Sequence, residues 1–470
     1  MRIKEVLEKV NGFALILNDE DKSYKFCSSA CYAKNLNCDY IYLPILENGE
    51  EIFEQIKTHL NNLNCKGFFI DKKILDIPEN QYNYHKIMKE FSSKIEVIVL
   101  VRNVFNSALA ICEENMKNFS PDIITLAGSE EKGVLASMLS YILSHKGQTY
   151  SSVSSSGPWQ KFFEPLLLTD EKTKYCIVDI DPKRKGITQH ASKIIKNNTI
   201  IFSKTSANYT SVYTDIENYI YEITSIADYP ENVKNIFTYD ENELINENIS
   251  TSENLNIIYE SKIKTKIKKQ NFSQKKYLEI EYDNLKLETQ NYSYFIPRCS
   301  VISALCAKSL KIDNKIIEKC FKNFKDISSL YVENKLENNS YSVLSTSEHT
   351  HYSIKKSIFT FCKKYKNFKK ILVLSRITGL KECDKQLHND IIKQAAKENF
   401  DTAVLIDMSE YGAYYRKFDK FTHIKKISSK NNKLDERELM DIGIFLKGKI
   451  DTNTAILVCT NPTLNLEFLF

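Results

Sequence analysis

Residues 128–133 read Gly-Ser-Glu-Glu-Lys-Gly and directly follow the apolar run Asp122-Ile123-Ile124-Thr125-Leu126-Ala127. That run has the pattern of a buried strand, and the apolar spacing over Val134–His145 predicts a helix beyond the loop. A strand that feeds a helix through a tight loop turns backbone N–H groups and the positive end of the helix dipole toward an anion. Lys132 would add a point charge, so Gly128, Ser129 and Lys132 are the candidate phosphate-binding groups. Two positions depart from that chemistry. A phosphate loop needs glycine where its backbone approaches the anion, and a Ser or Thr hydroxyl after the Lys to hold Mg²⁺. Here Glu131 and Gly133 stand in those places, and Glu130 and Glu131 would face an incoming phosphate with like charge. The competing reading is an ordinary turn between strand and helix.

Other residues invite chemistry less strongly. His349-Thr350-His351 puts two His at i, i+2, which could suggest a metal pair. Without clear carboxylate or Cys partners, polar surface structure is the better reading. Lys183, Arg184 and Lys185 could supply positive charge, or form a solvated basic turn. Trp159 is the only Trp and follows Ser154-Ser155-Ser156-Gly157-Pro158, which reads as a mobile binding loop or a connection to a helix at Lys161. The twelve Cys form no C-x-x-C pair and have no His at zinc-finger spacing. Many lie in apolar runs, where Cys behaves as a small hydrophobe, and Cys27 and Cys31 read as packing residues on one helical face.

Elements that must position these groups alternate along the chain. Strands are expected at Phe13–Leu17, Tyr40–Leu43, Gly67–Ile70 and Val97–Val101, with helices at Glu51–Leu63 and Ser107–Asn118. A second unit opens at Asp122 and continues with strands Tyr175–Ile180 and Thr199–Phe202. Strands alternating with helices imply a parallel sheet, with any ligand at the carboxyl ends of its strands. The Lys-rich stretch 262–276 reads as a solvated strand or linker edge. After helices at Val301–Leu310 and Asn314–Asn323, a third α/β unit has strands Tyr341–Leu344, Lys370–Leu374, Thr402–Ile406 and Ala455–Cys459. Helices at about Ser353–Tyr365 and Cys383–Asn399 separate them.

At 470 residues the chain is too long for one core. A net charge of +5, from 65 basic and 60 acidic residues, does not argue for a nucleic-acid partner. Nearly all the basic residues are Lys, whereas bidentate phosphate or base recognition would favour Arg. No apolar signal region opens the sequence, and the longest apolar runs, such as Ile95–Val101, are strand-length. A soluble, cytoplasmic protein without a membrane span is expected.

In order and hydrophobic pattern the chain resembles the Mur ligases over nearly its whole length. The similarity is greatest to the branches adding diaminopimelate or lysine, or D-alanyl-D-alanine, to UDP-N-acetylmuramoyl peptides. Asp39-Tyr40-Ile41-Tyr42-Leu43-Pro44 and Cys65–Asp71 resemble the uridine-nucleotide domain, and Ile123–Ser129 resembles the lead-in to the ATP loop. The resemblance implies an α/β fold of three domains. These are an amino-terminal precursor-binding-like domain at 1–118, a central ATPase-like parallel sheet at 119–312, and a Rossmann-like carboxyl-terminal domain at 313–470.

It also implies site residues. Cys176-Ile177-Val178-Asp179 resembles the strand ending in the family's metal-binding Glu, so Asp179 is the candidate metal ligand. Asn208 stands where the family has a metal-ligand His, and Ser347–His351 resembles a family turn that keeps His349-Thr350. The family's carbamylated Lys would fall near Ile220 or Tyr221 and its third-domain Arg near Leu330, and neither is present. Family members use ATP and Mg²⁺ to phosphorylate a carboxylate that an amine then attacks. ATP and Mg²⁺ are thus the implied cofactors, set against Glu131 and Gly133. Each loss from a charge-stabilising site costs a few kcal/mol, so several together leave little turnover. The resulting expectation is a non-catalytic homologue that binds a nucleotide-linked peptide, another cell-wall precursor or a protein partner. The alternative is a divergent ATP-dependent amide ligase acting on a similar carboxylate.

Overall fold

The computed structural model describes all residues except 30–32, 35, 46–48, 155–157, 183–184, 196, 206–211, 214, 229–232, 250–255, 260–265, 271–277, 283, 290–295, 325–331, 347–348, 378–379, 381–383, 409–422, 430–433, 462–463, 465 and 470. Its architecture is α/β, with three mostly parallel sheets in sequence.

The first sheet contains β1 (Phe13–Leu17), β2 (Lys25–Cys27), β3 (Tyr40–Tyr42), β4 (Cys65–Asp71) and β5 (Val97–Val101), in the order β1-β5-β4-β3-β2. Only β1 runs antiparallel to its neighbour. Gly67 lets β4 approach β5 closely, since a Cβ there would lie 1.7 Å from the Val97 carbonyl oxygen.

The second sheet is wholly parallel among its described strands. It comprises β6 (Asp122–Ala127), β7 (Gln148–Ser151), β8 (Thr173–Ile180), β9 (Thr199–Phe202), β10 (Asn235–Thr238) and β11 (Ile257–Tyr259), in the order β11-β10-β9-β6-β8-β7. Its side chains alternate between two cores, as the two-residue strand period requires. Ile123, Cys176, Val178, Ile200 and Phe202 join a cluster that also holds Ile3, Val99, Val101 and Phe163. Ile124, Leu126, Ile177 and Ile201 face a second cluster with the helices Lys132–Ser144, Ile296–Ser309 and Asn314–Asn323. The helix Lys132–Ser144 is apolar nearly all round and correspondingly buried.

A three-stranded antiparallel sheet follows: β12 (Lys266–Gln270), β13 (Leu278–Tyr282) and β14 (Leu285–Thr289). The Lys-rich stretch read as a solvated strand or linker edge supplies β12, an edge of this sheet, while residues 262–265 and 271–276 lie outside the described residues. The last sheet is β15 (Val332–Lys335), β16 (Tyr341–Leu344), β17 (Lys369–Ser375), β18 (Thr402–Ile406), β19 (His423–Ile427) and β20 (Thr454–Cys459). Its order is β15-β16-β20-β17-β18-β19, parallel except for β15. Helices His351–Lys364 and Asp384–Lys397 cover one face and Glu436–Lys447 the other. Among the described residues, no helix is long and apolar enough to cross a membrane.

Candidate functional site

β6 is flanked by β8 and β9, so its carboxyl end opens at the middle of the central sheet. The loop that leaves it needs glycine at 128. Gly128 has φ +131°, and a Cβ there would lie 2.3 Å from the Ser203 hydroxyl and 2.9 Å from the Ser203 carbonyl oxygen. Three residues later Glu131 is held at φ 65°, the left-handed conformation that glycine takes at little cost. It is the cap residue of the helix Lys132–Ser144. The backbone therefore turns through two positive-φ residues, of which only the first is glycine.

The loop's polar groups are engaged by the protein itself. The backbone N–H groups of Ser129 and Glu130 both donate to the Lys204 carbonyl, at 3.3 and 2.9 Å. Lys132 donates to the Ile180 carbonyl at 2.9 Å and pairs with Asp179 at 2.7 Å. Lys161 lies 3.7 Å from the other Asp179 oxygen. Glu130, fully buried, accepts a 2.7 Å hydrogen bond from the Thr350 hydroxyl. Glu131, also buried, lies near Cys299, whose thiol donates at 3.8 Å, and beside Arg298. Both carboxylates, which the sequence suggested would face a phosphate, thus have protein partners.

Arg298 anchors a polar cluster next to the loop. It pairs with Glu241, donates to the Tyr352 hydroxyl at 3.3 Å and lies 4.9 Å from the Tyr239 ring centre. Lys204 reaches Glu241 at 2.9 Å and sits 5.8 Å from the Tyr352 ring centre. Burial works to raise the Glu241 carboxyl, but Lys204 and Arg298 override it and hold it down at about 2.

The remaining sequence candidates separate. Asn208, Lys183, Arg184, Ser347, Glu348 and the Leu330 position lie outside the described residues. Ile220 is buried in the first cluster, while Tyr221 is exposed. His349 directs Nε2 at the Cys459 carbonyl (3.2 Å) and the Ser375 hydroxyl (3.3 Å), and burial lowers its pKa to about 4. His351 faces Asp390 at 2.9 Å instead. Among the described residues, no three His, Cys, Asp or Glu side chains converge as a metal site. Trp159 is in the helix Pro158–Leu167 and packs edge-on against Phe105, with ring centres 4.7 Å apart. Cys27 ends β2 instead of sitting on a helix, because the parallel pairing of β2 with β3 extends it, and Cys31 lies outside the described residues.

Arg298, Glu241, Tyr352 and the pairing of Thr350 with Glu130 carried no local sequence signal. Glu164 was missed too. It is fully buried and accepts from the Ser28 N–H (2.8 Å), the Ser28 hydroxyl and the Cys27 thiol (2.9 Å).

No family model and no curated protein matches this sequence. Solved structures do. MurF from Acinetobacter baumannii superimposes with a TM-score of 0.72 at 11% identity, covering 100% of this chain and 97% of that one. The chain has the Mur-ligase fold. MurF from Thermotoga maritima in complex with ADP gives a TM-score of 0.67 at 13% identity, with 95% and 96% covered. A pseudomurein peptide ligase type C from Methanothermus fervidus gives 0.56 at 14%, with 93% and 97% covered. The Mur-ligase resemblance read from the sequence is borne out in the fold.

ATP and Mg²⁺ fit the residues present poorly. No hydroxyl follows Lys132, Glu131 fills a glycine position, two loop amides already donate to a carbonyl, and the lysine is paired with Asp179.

Proposed function

We propose that this chain uses the Mur-ligase fold as a non-catalytic binding or scaffold module for a nucleotide-linked peptide of cell-wall precursor chemistry, in the cytoplasm. One similar structure is the UDP-N-acetylmuramoylalanyl-D-glutamyl-2,6-diaminopimelate–D-alanyl-D-alanyl ligase from Acinetobacter baumannii, which motivates the precursor class. The observation that carries the non-catalytic reading is the internal satisfaction of the loop, with Lys132 on Asp179 and Ile180, Glu130 on Thr350, and two amides on Lys204. Phosphoryl transfer depends on such groups being aimed at developing phosphate charge. In the proposed division, residues 1–118 hold the precursor, 119–312 carry the altered loop and 313–470 cover it.

Ligand binding to the native state raises its melting temperature, so a thermal-shift series tests the proposal. UDP-N-acetylmuramoyl peptides should raise Tm, while ATP with Mg²⁺ should not. Phosphate release from ATP that requires such a peptide and an amine would refute the non-catalytic reading. It would favour a divergent amide ligase, for which the Lys132–Asp179 pair beside Lys161 is the supporting feature.

A further inference from the structure

Thr350 caps the helix His351–Lys364: its side-chain oxygen accepts from the Ser353 N–H at 3.1 Å. Its hydroxyl proton goes to Glu130, which lies 220 residues earlier in the chain. A carboxylate at a helix N-terminus is favoured by the dipole, and a charge-assisted hydrogen bond in a dry site is among the stronger ones. Both residues are buried. Two positions later on the same helix, Tyr352 receives Arg298 and lies under Lys204. The start of this helix is thus held to the loop, and to the residues beside it, by polar contacts from three segments.

We propose that Glu130 is an intramolecular latch that holds the third α/β unit against the altered phosphate loop, so that the chain is closed without nucleotide. Resting on the non-catalytic reading of the loop, the latch explains why an acidic residue is tolerated there. The protein's own carboxylate supplies the anion that bridges the loop and the helix of the third unit. Removing either partner deletes this charge-assisted hydrogen bond between the loop and the helix, which disfavours the closed arrangement.

Small-angle X-ray scattering of the full chain tests this. Without nucleotide the wild type should give one compact profile, unchanged by ATP and Mg²⁺. Glu130→Ala and Thr350→Ala should each increase the radius of gyration and maximum dimension, with far-UV circular dichroism retained. Glu130→Gln and Thr350→Ser keep an acceptor and a donor, and should remain compact. Folded alanine variants with the wild-type profile would overturn the latch. A wild type that is extended alone, or contracts on adding ATP and Mg²⁺, would overturn it even if the variants failed to fold. ATP-dependent phosphate release with an unchanged profile would refute the proposed function and leave the latch standing.

Discussion

The central sheet meets its two neighbours through contrasting junctions. Toward the first sheet the junction is a continuous apolar core: Ile3, Val6, Val99 and Val101 share one cluster with Phe163, Leu166, Val178 and Phe202. Polar contacts cross it as well: the buried carboxylate of Glu164 meets Cys27 and Ser28, and Lys25 pairs with Asp170 at the edge. Toward the last sheet, the apolar clusters draw, among the described residues, on residues 332–469, and the contacts to the loop region include the polar pairs Glu130–Thr350 and Arg298–Tyr352. Apolar burial resists separation in proportion to its area, whereas paired polar groups can exchange their partners for water. The first two sheets should therefore unfold together, and the last sheet should be the part that can move.

The largest expected effect is at the apolar junction. Phe163→Ala should lower the unfolding free energy by about 3–5 kcal/mol, read by urea denaturation. Trp159 lies at the same junction and packs on Phe105, so its fluorescence should follow that transition. It should not respond to Glu130→Ala, which acts on the other junction. A Trp159 signal that shifts in folded Glu130→Ala would collapse the distinction between the two.

The next effect is electrostatic. Burial raises the Glu164 carboxyl from 4.5 to about 7. Folding therefore favours its protonated form. The associated stability is full below about pH 4.5 and is lost as pH rises through about 7, by on the order of 3 kcal/mol. Glu164→Gln should flatten that part of the melting-temperature profile. A profile of unchanged slope would count against this assignment.

Glu131→Gly should have the smallest effect on stability. Relief of the left-handed conformation favours the variant by about 1–2 kcal/mol, and the greater freedom of glycine in the unfolded chain opposes it by about 0.5–1 kcal/mol. The two terms leave a net stabilisation of roughly 0–1.5 kcal/mol, read by thermal unfolding. A large loss would mean that the Glu131 contacts near Cys299 and Arg298 are a main support of the loop.

Much of this architecture was legible because apolar period and β-branched runs mark strands whatever their partners, as in Ile123–Leu126, Val97–Val101 and Ile371–Leu374. Elements with weak apolar faces escaped. The helix Pro78–Phe91 buries only Asn80, Ile87 and Phe91, and β2 is three residues long. The loop itself was legible because strand, glycine, lysine and helix are contiguous. Its partners Ile180, Lys204, Arg298 and Thr350 were not, because sheet order and helix packing alone bring them to it. The two losses visible in sequence, at 131 and 133, removed chemistry; the gain visible only in the structure is the contact to Thr350.

Titration calorimetry of ATP with Mg²⁺ into the full chain tests most directly whether the loop's own groups have replaced a nucleotide. No saturable heat is predicted for the wild type. Saturable binding that Lys132→Ala abolishes would contradict that replacement.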